Sequence, residues 1–373
     1  MNFTSFHPTP RTLMGPGPSD VSPRVLSALA RPTIGHLDPE FVTMMDELKA
    51  LLKYAFQTEN ELTIPVSAPG SAGMETCFVN LVEPGEKVIV CVNGVFGTRM
   101  VENVERIGAT AIVINDEWGK PVDADKVKQA FSEHPDAAFL AFVHAETSTG
   151  VLSDAKALCQ IARDHGALSI VDAVTSLGGV ELRVDDWGID AVYSGSQKCL
   201  SCVPGISPVS FSPKAVEKLK ARKTKVPSWF LDQSLVMNYW GGEGKRTYHH
   251  TAPVNAMYAL HESLLLLKQE GLENAWQRHQ EQHELLKKGL GELGIEFIVD
   301  EAHRLPQLNT VVIPAGVDDA EIRGKLLKDY NLEIGAGLGI FAGKAWRIGL
   351  MGYAARNENV ALCLTALKNA LAK

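Results

Sequence analysis

The sequence has no excess of basic residues and no long apolar run. Its 373 residues include 36 lysines and arginines against 44 aspartates and glutamates, which gives a net charge of −8, and the basic residues form no stripe. This balance argues against nucleic acid and anionic membranes as partners. No apolar run approaches the length of a membrane span, so we expect no contact with a membrane interior.

The sequence also lacks a cysteine pattern typical of a disulfide-bonded protein. Its six cysteines lie mostly inside apolar segments, which indicates reduced, buried thiols. Cys199 and Cys202 form a C-x-x-C pair, but no second pair or histidine cluster completes a zinc site, so we expect no metal. The first residues lack the apolar core of a signal peptide, and the ending ALAK is not a peroxisomal signal. A cytoplasmic location is therefore expected.

The length predicts two domains, and the pattern of the chain predicts an α/β fold. Short β-rich runs alternate with helical patterns, which is typical of a mostly parallel, buried sheet flanked by helices. These runs are Lys87–Val92, 111–114, 138–143, 167–171, 189–193 and 209–212. A long helix from Val254 to about Gln269, closed by Gly271, follows them. We predict an irregular arm over 1–20, a large domain over 21–270 and a smaller α+β domain over 271–373.

An aspartate and a lysine follow two of the predicted strands directly. The run 167–171 ends in Asp172, and the run 189–193 leads into the loop Ser194-Gly-Ser-Gln-Lys198. The carboxyl ends of strands are where open α/β sheets bind ligands. A lysine there can form a Schiff base with pyridoxal 5'-phosphate, and an aspartate can keep the pyridine nitrogen protonated. Either residue alone is more often a solvated group or a turn cap, but the pair favours a pyridoxal-phosphate enzyme.

A phosphate site is predicted where small residues precede a helix. The segment Ser67-Ala-Pro-Gly-Ser-Ala-Gly-Met-Glu75 leads into a helix predicted over ETCFVNLV. Small residues let the backbone approach an anion, and a helix N-terminus supplies unpaired N–H groups. Taken alone, such a segment is more often an ordinary turn. It does not read G-x-G-x-x-G, so no dinucleotide site is expected.

Taken together, the motifs resemble the alanine–glyoxylate and serine–glyoxylate (serine–pyruvate) aminotransferases, in class V of the fold-type I pyridoxal-phosphate enzymes. The resemblance covers nearly the whole chain, through LMGPGPSD, GHLDPEF, PGSAGMET, NGVFGTR, HAETSTGV, VDAVTSLGG, YSGSQKCL, YHHTAPV and WRIGLMG. It implies an aminotransferase that moves the amino group of alanine or serine to glyoxylate or pyruvate by a ping-pong mechanism. It also implies a homodimer with active sites at the subunit interface.

The resemblance implies a role for each matching residue. Lys198 matches the Schiff-base lysine, Asp172 the partner of the pyridine nitrogen, and Thr147 the hydroxyl residue beside the cofactor's 3-oxygen. Arg347 matches the arginine that binds the substrate carboxylate, a task for which its planar fork is suited. Further cofactor contacts are implied for Gly70, Ser71, Ala72, Phe96, Gln197, Tyr248 and Thr251. The last two match residues that reach the phosphate of the neighbouring subunit's cofactor.

Two positions depart from the close eukaryotic relatives of that group. Phe96 stands where those relatives stack a tryptophan on the cofactor ring, and a phenyl face still stacks, with less area. Pro69-Gly70-Ser71 stands where they have Ser-Gly-His. Without the resemblance, more ordinary interpretations are favoured: a structural ion pair for Arg347, a core aromatic for Phe96, and loop packing for Tyr248 and Thr251.

Two other classes of protein remain as alternatives. The first keeps the fold with another reaction: aminoethylphosphonate–pyruvate transaminase, kynureninase or cysteine desulfurase. A desulfurase needs a mobile cysteine before the carboxylate-binding arginine, and residues 332–348 contain none. The second is an α/β protein that binds a ligand without catalysis, which the presence of Lys198, Asp172 and Arg347 disfavours.

Overall fold

The computed structural model describes residues 3–241 and 246–372. Seven strands form the central sheet, namely β2 (Leu62–Val66), β3 (Lys87–Val92), β4 (Thr110–Asn115), β5 (Phe139–Val143), β8 (Leu168–Asp172), β9 (Ala191–Tyr193) and β10 (Ser207–Phe211). They lie in the order β2-β10-β9-β8-β5-β3-β4, and the neighbours from β9 to β4 are parallel. This confirms the predicted α/β fold with a mostly parallel sheet.

Two details of the predicted sheet are wrong. Residues 209–211 of the run 209–212 lie in β10, which is antiparallel to both β2 and β9. The connection from β9 carries the lysine loop and no helix, whereas a parallel neighbour needs a crossover, usually helical. The run 111–114 lies in β4 at the sheet edge, where three of its four residues are partly or fully exposed, so it is not buried on both sides.

Ten helices, counted over the described residues, belong to the part of the chain that holds this sheet. They are α1 (Pro23–Leu29), α2 (Pro39–Phe56), α3 (Gly70–Leu81), α4 (Val95–Arg106), α5 (Ala124–Glu133), α6 (Ala155–Asp164), α7 (Val184–Trp187), α8 (Pro213–Lys220), α9 (Gln233–Tyr239) and α10 (Val254–Glu270). The predicted end of α10 is confirmed, because Gly271 follows it with φ of 87°.

The helix predicted from Glu75 begins earlier than expected, at Gly70. The glycine-rich segment is therefore the first turn of α3 and not a loop before it. Gly73 explains why small residues are needed there: a Cβ at this position would lie 3.0 Å from Ser207 Cβ and 3.2 Å from Tyr193 Cβ. The missing side chains let α3 pack directly on β9 and β10.

A second, smaller sheet lies in the C-terminal part of the chain. It contains β11 (Leu308–Val312), β13 (Gly335–Ala336) and β14 (Ala345–Gly349), all antiparallel, with β14 in the centre. The helices of this part are α11 (Leu272–Glu292), α12 (Asp319–Tyr330) and α13 (Asn357–Leu371). Trp346 and Ile348 of β14 belong to its hydrophobic core, which is separate from the core around the large sheet.

Two short strand pairs lie outside the two larger sheets. In the arm, β1 (Thr12–Leu13) pairs in parallel with β12 (Leu332–Glu333), so the arm predicted to be irregular is bound to the smaller part. After β5, β6 (Ala145–Glu146) and β7 (Val151–Leu152) form a hairpin. All six cysteines are free and buried, which confirms the prediction of reduced thiols. Among the described residues, none of the helices is both long and apolar enough to cross a lipid bilayer.

Candidate active site

Asp172 lies buried at the carboxyl end of β8, opposite the last residue of β9. The register pairs Asp172 with Tyr193, and the Tyr193 hydroxyl donates to Asp172 Oδ2 at 2.8 Å. The Val174 N–H donates to Oδ1, also at 2.8 Å. Burial raises the pKa of Asp172 to about 7, because the charged carboxylate is poorly solvated there. A cationic ring N–H beside this carboxyl group would restore its charge.

Lys198 lies in the loop after β9 and is only 8% exposed. Its Nζ donates to the Pro16 carbonyl of the arm. Burial, together with the nearby charge of Arg347, lowers the pKa of Lys198 to about 8. The lowered pKa raises the neutral fraction of the amine, the form that attacks an aldehyde.

The arm crosses the lysine loop closely. The Ser19 hydroxyl donates to the Lys198 carbonyl at 2.8 Å, and the Ser19 N–H donates to the Gln197 carbonyl at 2.9 Å. Gly17 has φ of 105°, and a Cβ there would lie 2.5 Å from Lys198 Nζ. Only glycine both adopts this backbone angle easily and leaves room for the amine.

The start of α3 lies against both of these segments. A Cβ on Gly70 would lie 3.5 Å from the Val174 side chain and 3.6 Å from Gly195 Cα. The N-cap residue Pro69 offers no side-chain hydrogen bond to the first turn, so the N–H groups at this helix end are available to an anion. The Ala72 N–H, however, already donates to the Pro69 carbonyl at 2.7 Å.

Gln197, one residue before the lysine, carries a buried side-chain oxygen that has no hydrogen-bond partner among the described residues. The unpaired atom is an acceptor, so only the amide nitrogen of Gln197 could donate to a phosphate. The N–H groups of the helix end, the acid of Asp172 and the amine of Lys198 supply the groups that pyridoxal phosphate requires. The residues present therefore fit this cofactor.

Arg347 approaches the site from β14 of the smaller sheet. It is 7% exposed, with Nε donating to the Ala336 carbonyl at 2.8 Å and Nη1 to the Thr147 carbonyl at 3.2 Å. Within residues 3–241 and 246–372 it forms no ion pair, so the interpretation as a structural ion pair is not supported. Burial lowers its pKa to about 10. A buried guanidinium held by two neutral carbonyls can still bind a carboxylate.

The hairpin after β5 carries Thr147 into the same region. Its hydroxyl lies 2.5 Å from the Thr175 hydroxyl, which comes three residues after Asp172. Phe96 lies in the first turn of α4, where its N–H donates to Glu146 Oε2 at 3.3 Å and the Arg99 guanidinium lies over its ring, 4.9 Å from the centroid. Glu146 thus connects Phe96 to the hairpin that holds Thr147.

Two predicted residues do not join this cluster within the single chain. Tyr248 is 65% exposed and its ring lies 5.5 Å from that of His36, while Thr251 is exposed. Between them, His250 Nε2 hydrogen bonds to the Ser67 hydroxyl at 2.7 Å. The segment therefore packs beside the start of α3 and leaves both predicted side chains facing outward.

Three residues of the site are not predicted from the sequence: Tyr193, Thr175 and Glu146. Each acts through a hydrogen bond to a residue that is remote in sequence, such as the bond from Tyr193 to Asp172. A signal for Tyr193 exists in hindsight, because it is the last residue of a strand beside the strand that ends in Asp172. The other two depend on the path of the hairpin, for which the sequence pattern gives no signal.

Comparisons with known proteins agree with this geometry. The sequence profile of the family described as "Aminotransferase class-V" matches residues 23–360. The chain is 44% identical to the alanine–glyoxylate aminotransferase of Oryctolagus cuniculus over 363 residues, which cover 97% of this chain and 92% of the relative. It is 36% identical to the (S)-ureidoglycine–glyoxylate transaminase of Bacillus subtilis, over 97% of this chain and 90% of the relative.

The structural comparison gives the same result. The crystal structure of an alanine–glyoxylate aminotransferase from Nostoc sp. superposes with a TM-score of 0.97 and 47% sequence identity. The match covers 100% of this chain and 98% of that one. Agreement at this level extends over both sheets and the arm between them.

Proposed function

Because the chain belongs to the class-V aminotransferase family, we propose that it transfers the amino group of a small amino acid, alanine or serine, to glyoxylate or pyruvate. The observation that carries this proposal is the buried cluster of Lys198, Asp172 and Arg347. It brings together an amine, an acid and an arginine that forms no ion pair within the part of the chain that the structure describes. Relatives named for glyoxylate as the amino acceptor support the choice of acceptor.

Class-V aminotransferases are pyridoxal-phosphate enzymes, and this chain has residues to hold that group. Lys198 would bind the aldehyde, and Asp172 would pair with the ring nitrogen, held in place by Tyr193. The start of α3 with Gln197 would receive the phosphate, which suits the dipole of a helix N-terminus. When bound, the cofactor supplies an aldehyde that accepts the amino group and a ring that takes up the charge left on the substrate α-carbon.

Lys198 is suited to both of its tasks. Its pKa of about 8 leaves the amine partly neutral, so Nζ can bond to an aldehyde and, once released, take the proton from the substrate α-carbon. The Pro16 carbonyl accepts a hydrogen bond from Nζ and so restricts where the amine points. In a ping-pong cycle the keto acid product leaves before the acceptor binds. In the second half of the cycle the same Nζ gives a proton to the α-carbon of the acceptor.

Arg347 determines the orientation of the substrate in the site. Its Nε and Nη1 are directed by the carbonyls of Ala336 and Thr147. The remaining N–H groups of the fork can bind the α-carboxylate that amino donors and keto acceptors share. One arginine therefore serves both half-reactions.

We further propose that the enzyme is a homodimer in which Tyr248 and Thr251 reach the phosphate of the partner subunit's cofactor. Both side chains are exposed in the single chain, and His249 and His250 between them contact the rings of the exposed residues Trp229 and Phe230. Exposed aromatic groups in one patch are typical of a protein interface.

Initial-rate measurements with a set of donors and acceptors test the proposed reaction. Alanine and serine should each form glycine from glyoxylate, and varying both substrates should give the parallel reciprocal plots of a ping-pong mechanism. 2-Aminoethylphosphonate with pyruvate tests the alternative within the fold, and ureidoglycine tests the donor named for the Bacillus subtilis relative. Turnover with 2-aminoethylphosphonate but not with alanine or serine would overturn the proposal.

A further inference from the structure

Glu146 is a buried carboxylate to which the proposed reaction assigns no task. It is 0% exposed and forms no ion pair within the described ranges. Its Oε1 accepts hydrogen bonds from the Ser148 N–H at 3.0 Å and the Ser148 hydroxyl at 2.6 Å. Its Oε2 accepts from the Phe96 N–H at 3.3 Å. Burial raises the pKa of Glu146, opposed by these hydrogen bonds, to which the Gly97 N–H also contributes.

These bonds cap a helix that has no cap of its own. The N-cap residue of α4, Gly94, has no side chain to accept from the first turn. Ser148 Oγ accepts from the Val95 N–H at 3.0 Å, and Glu146 accepts from Phe96 and Gly97. The first-turn N–H groups, normally satisfied by a local side chain or water, are thus satisfied from a hairpin far along the chain.

The contact requires glycine at position 94. A Cβ on Gly94 would overlap the carboxyl group of Glu146 and lie 2.6 Å from Ser148 Oγ. The close approach brings the carboxyl oxygens of Glu146 to the positive end of the α4 dipole, where acceptor groups are favourable. The start of α4 is therefore fixed directly against the hairpin.

The same hairpin contacts the other side of the site. Thr147, between Glu146 and Ser148, accepts from Arg347 through its carbonyl at 3.2 Å and contacts Thr175 through its hydroxyl. A shift of the hairpin relative to α4 would therefore change the position of Phe96 relative to Thr147 and Arg347.

We propose that Glu146 is a positioning residue, which fixes the backbone at Phe96 so that the phenyl ring is held in place against the cofactor. The proposal rests on the proposed function for the role of the Phe96 ring. An ordinary helix cap would contribute stability alone, whereas this cap acts on cofactor binding through one neighbouring side chain.

Glu146→Gln tests the proposal, because the amide keeps the size of the side chain but offers only one accepting oxygen. Asp154→Asn is the matched control: Asp154 caps the exposed start of α6 by accepting from the Ala157 N–H at 2.9 Å. In the cofactor-free protein, hydrogen exchange at the amides of Phe96 and Gly97 should be faster in Glu146→Gln than in the wild type. The control should leave these amides unchanged.

Titration of the cofactor-free proteins with pyridoxal phosphate gives the second measurement. Glu146→Gln should weaken cofactor binding about tenfold, the equivalent of one lost cap, and Asp154→Asn should not. In a Phe96→Ala background, Glu146→Gln should have almost no further effect on cofactor affinity, because two changes that act through one contact are not additive. If Glu146→Gln does not fold, Ser148→Ala serves instead, with faster exchange at Val95 and about threefold weaker binding.

Three results would overturn the proposal, and none depends on turnover. They are an equal effect of Glu146→Gln with and without Phe96, faster exchange with unchanged cofactor affinity, and unchanged affinity in Phe96→Ala alone. The last would show that the ring does not bind the cofactor. Failure of the proposed function is distinct, because it would appear as absent cofactor binding or amino transfer in the wild-type enzyme.

Discussion

At the scale of single residues, the site consists of ionisable side chains whose burial opposes their charge. Burial raises the pKa of Asp172 to about 7, and it lowers the pKa of Lys198 to about 8 and that of Arg347 to about 10. Isolated buried charges cost folding free energy unless they are paired. Asp172, Lys198 and Arg347 all carry this free-energy cost of burial. A zwitterionic cofactor with a carboxylate substrate would lower it by pairing with their charges. Perturbed titration of this kind is typical of functional sites.

Asp172 should make the stability of the cofactor-free protein depend on pH. Because its folded pKa is raised, the folded state keeps a proton that the unfolded chain loses near pH 4. The contribution of this proton to the unfolding free energy is fully present below pH 4 and is lost as the pH rises to about 7. Relative to Asp172→Asn, which cannot titrate, the wild type should lose up to about 4 kcal/mol over this range, at about 1.4 kcal/mol per pKa unit.

Thermal unfolding of both cofactor-free proteins from pH 4 to pH 8 checks this expectation. The difference in pH dependence between the two proteins should shrink when pyridoxal phosphate is bound, since the ring nitrogen is then expected to pair with the carboxylate. A difference that is independent of pH would show that Asp172 ionises normally in the folded state.

Arg347→Lys should keep the charge of the side chain but lose the bidentate fork. We expect a loss of about 2–4 kcal/mol in kcat/KM, similar for donor and acceptor because both present an α-carboxylate. Arg323→Lys is the control, since Arg323 forms a partly buried ion pair with Asp319 within α12. Steady-state kinetics of each half-reaction give the measurement. A loss confined to one substrate would show that Arg347 recognises another group.

At the scale of helices and strands, the sheet was largely predictable because its buried strands are short apolar runs. The run Lys87–Val92 matches β3 at both ends. Strand β2 is not predicted because Pro65 interrupts it, and proline is accepted only since β2 lies at the sheet edge. The direction of β10 depends on which strand it pairs with, and the start of α3 depends on packing against β9. Neither is encoded in a local pattern.

The site was predictable to the extent that its residues follow strands. Lys198 and Asp172 follow directly from the pattern, while the roles of Arg347 and Thr147 depend on the family resemblance. Glu146 was not predictable, because its cap on α4 joins residues 50 positions apart. The roles assigned to all of these residues toward the cofactor stay predictions that the variants described here test.

Gly73→Ala should displace α3 from the sheet. The added methyl group would overlap the Ser207 hydroxyl, which cannot easily turn away because it donates to the Ser194 carbonyl at 2.6 Å. Such overpacking should cost about 1–3 kcal/mol of unfolding free energy and weaken cofactor binding, because Gly70 at the start of α3 would shift.

Gly324→Ala in α12 is the matched control, since a Cβ there would meet no atom within 4 Å. It should stabilise the protein by about 0.4–1 kcal/mol through the unfolded state and leave cofactor affinity unchanged. Denaturant unfolding and pyridoxal-phosphate titration of both variants make the comparison. Equal cofactor affinity in Gly73→Ala and the wild type would contradict the assignment of the phosphate to this helix.

At the scale of the whole molecule, the site is assembled from parts that lie far apart in the chain. Asp172 and Lys198 come from the large sheet, and Arg347 comes from the small one. The arm joins them, because the Met14 N–H donates to the Glu333 carbonyl at 2.9 Å while Ser19 contacts the lysine loop. The strand that carries Arg347 and the loop that carries Lys198 are therefore connected by one short segment. The division into two domains near residue 270 stays a prediction.

Subunit exchange tests the proposed dimer. Lys198→Ala should be inactive, and the double variant Tyr248→Ala/Thr251→Ala should be clearly impaired. If Tyr248 and Thr251 serve the partner's cofactor, each mixed dimer contains one site with both defects and one intact site. Activity should then return on mixing, to about half of the wild-type value per mixed dimer. Mixed dimers confirmed by mass spectrometry but without recovered activity would place both residues in their own subunit's site.

Transfer of a labelled amino group in single half-reactions tests the central claim, that Lys198 serves an aminotransferase site, most directly. Enzyme saturated with pyridoxal phosphate is treated with alanine or serine labelled at the amino nitrogen, freed of the donor, and then given glyoxylate. The wild type should form one labelled glycine per active site, and Lys198→Ala almost none, because it lacks the amine that moves the proton. Unlabelled glycine from the wild type, or equal labelling by Lys198→Ala at the wild-type rate, would contradict an aminotransferase site built on Lys198.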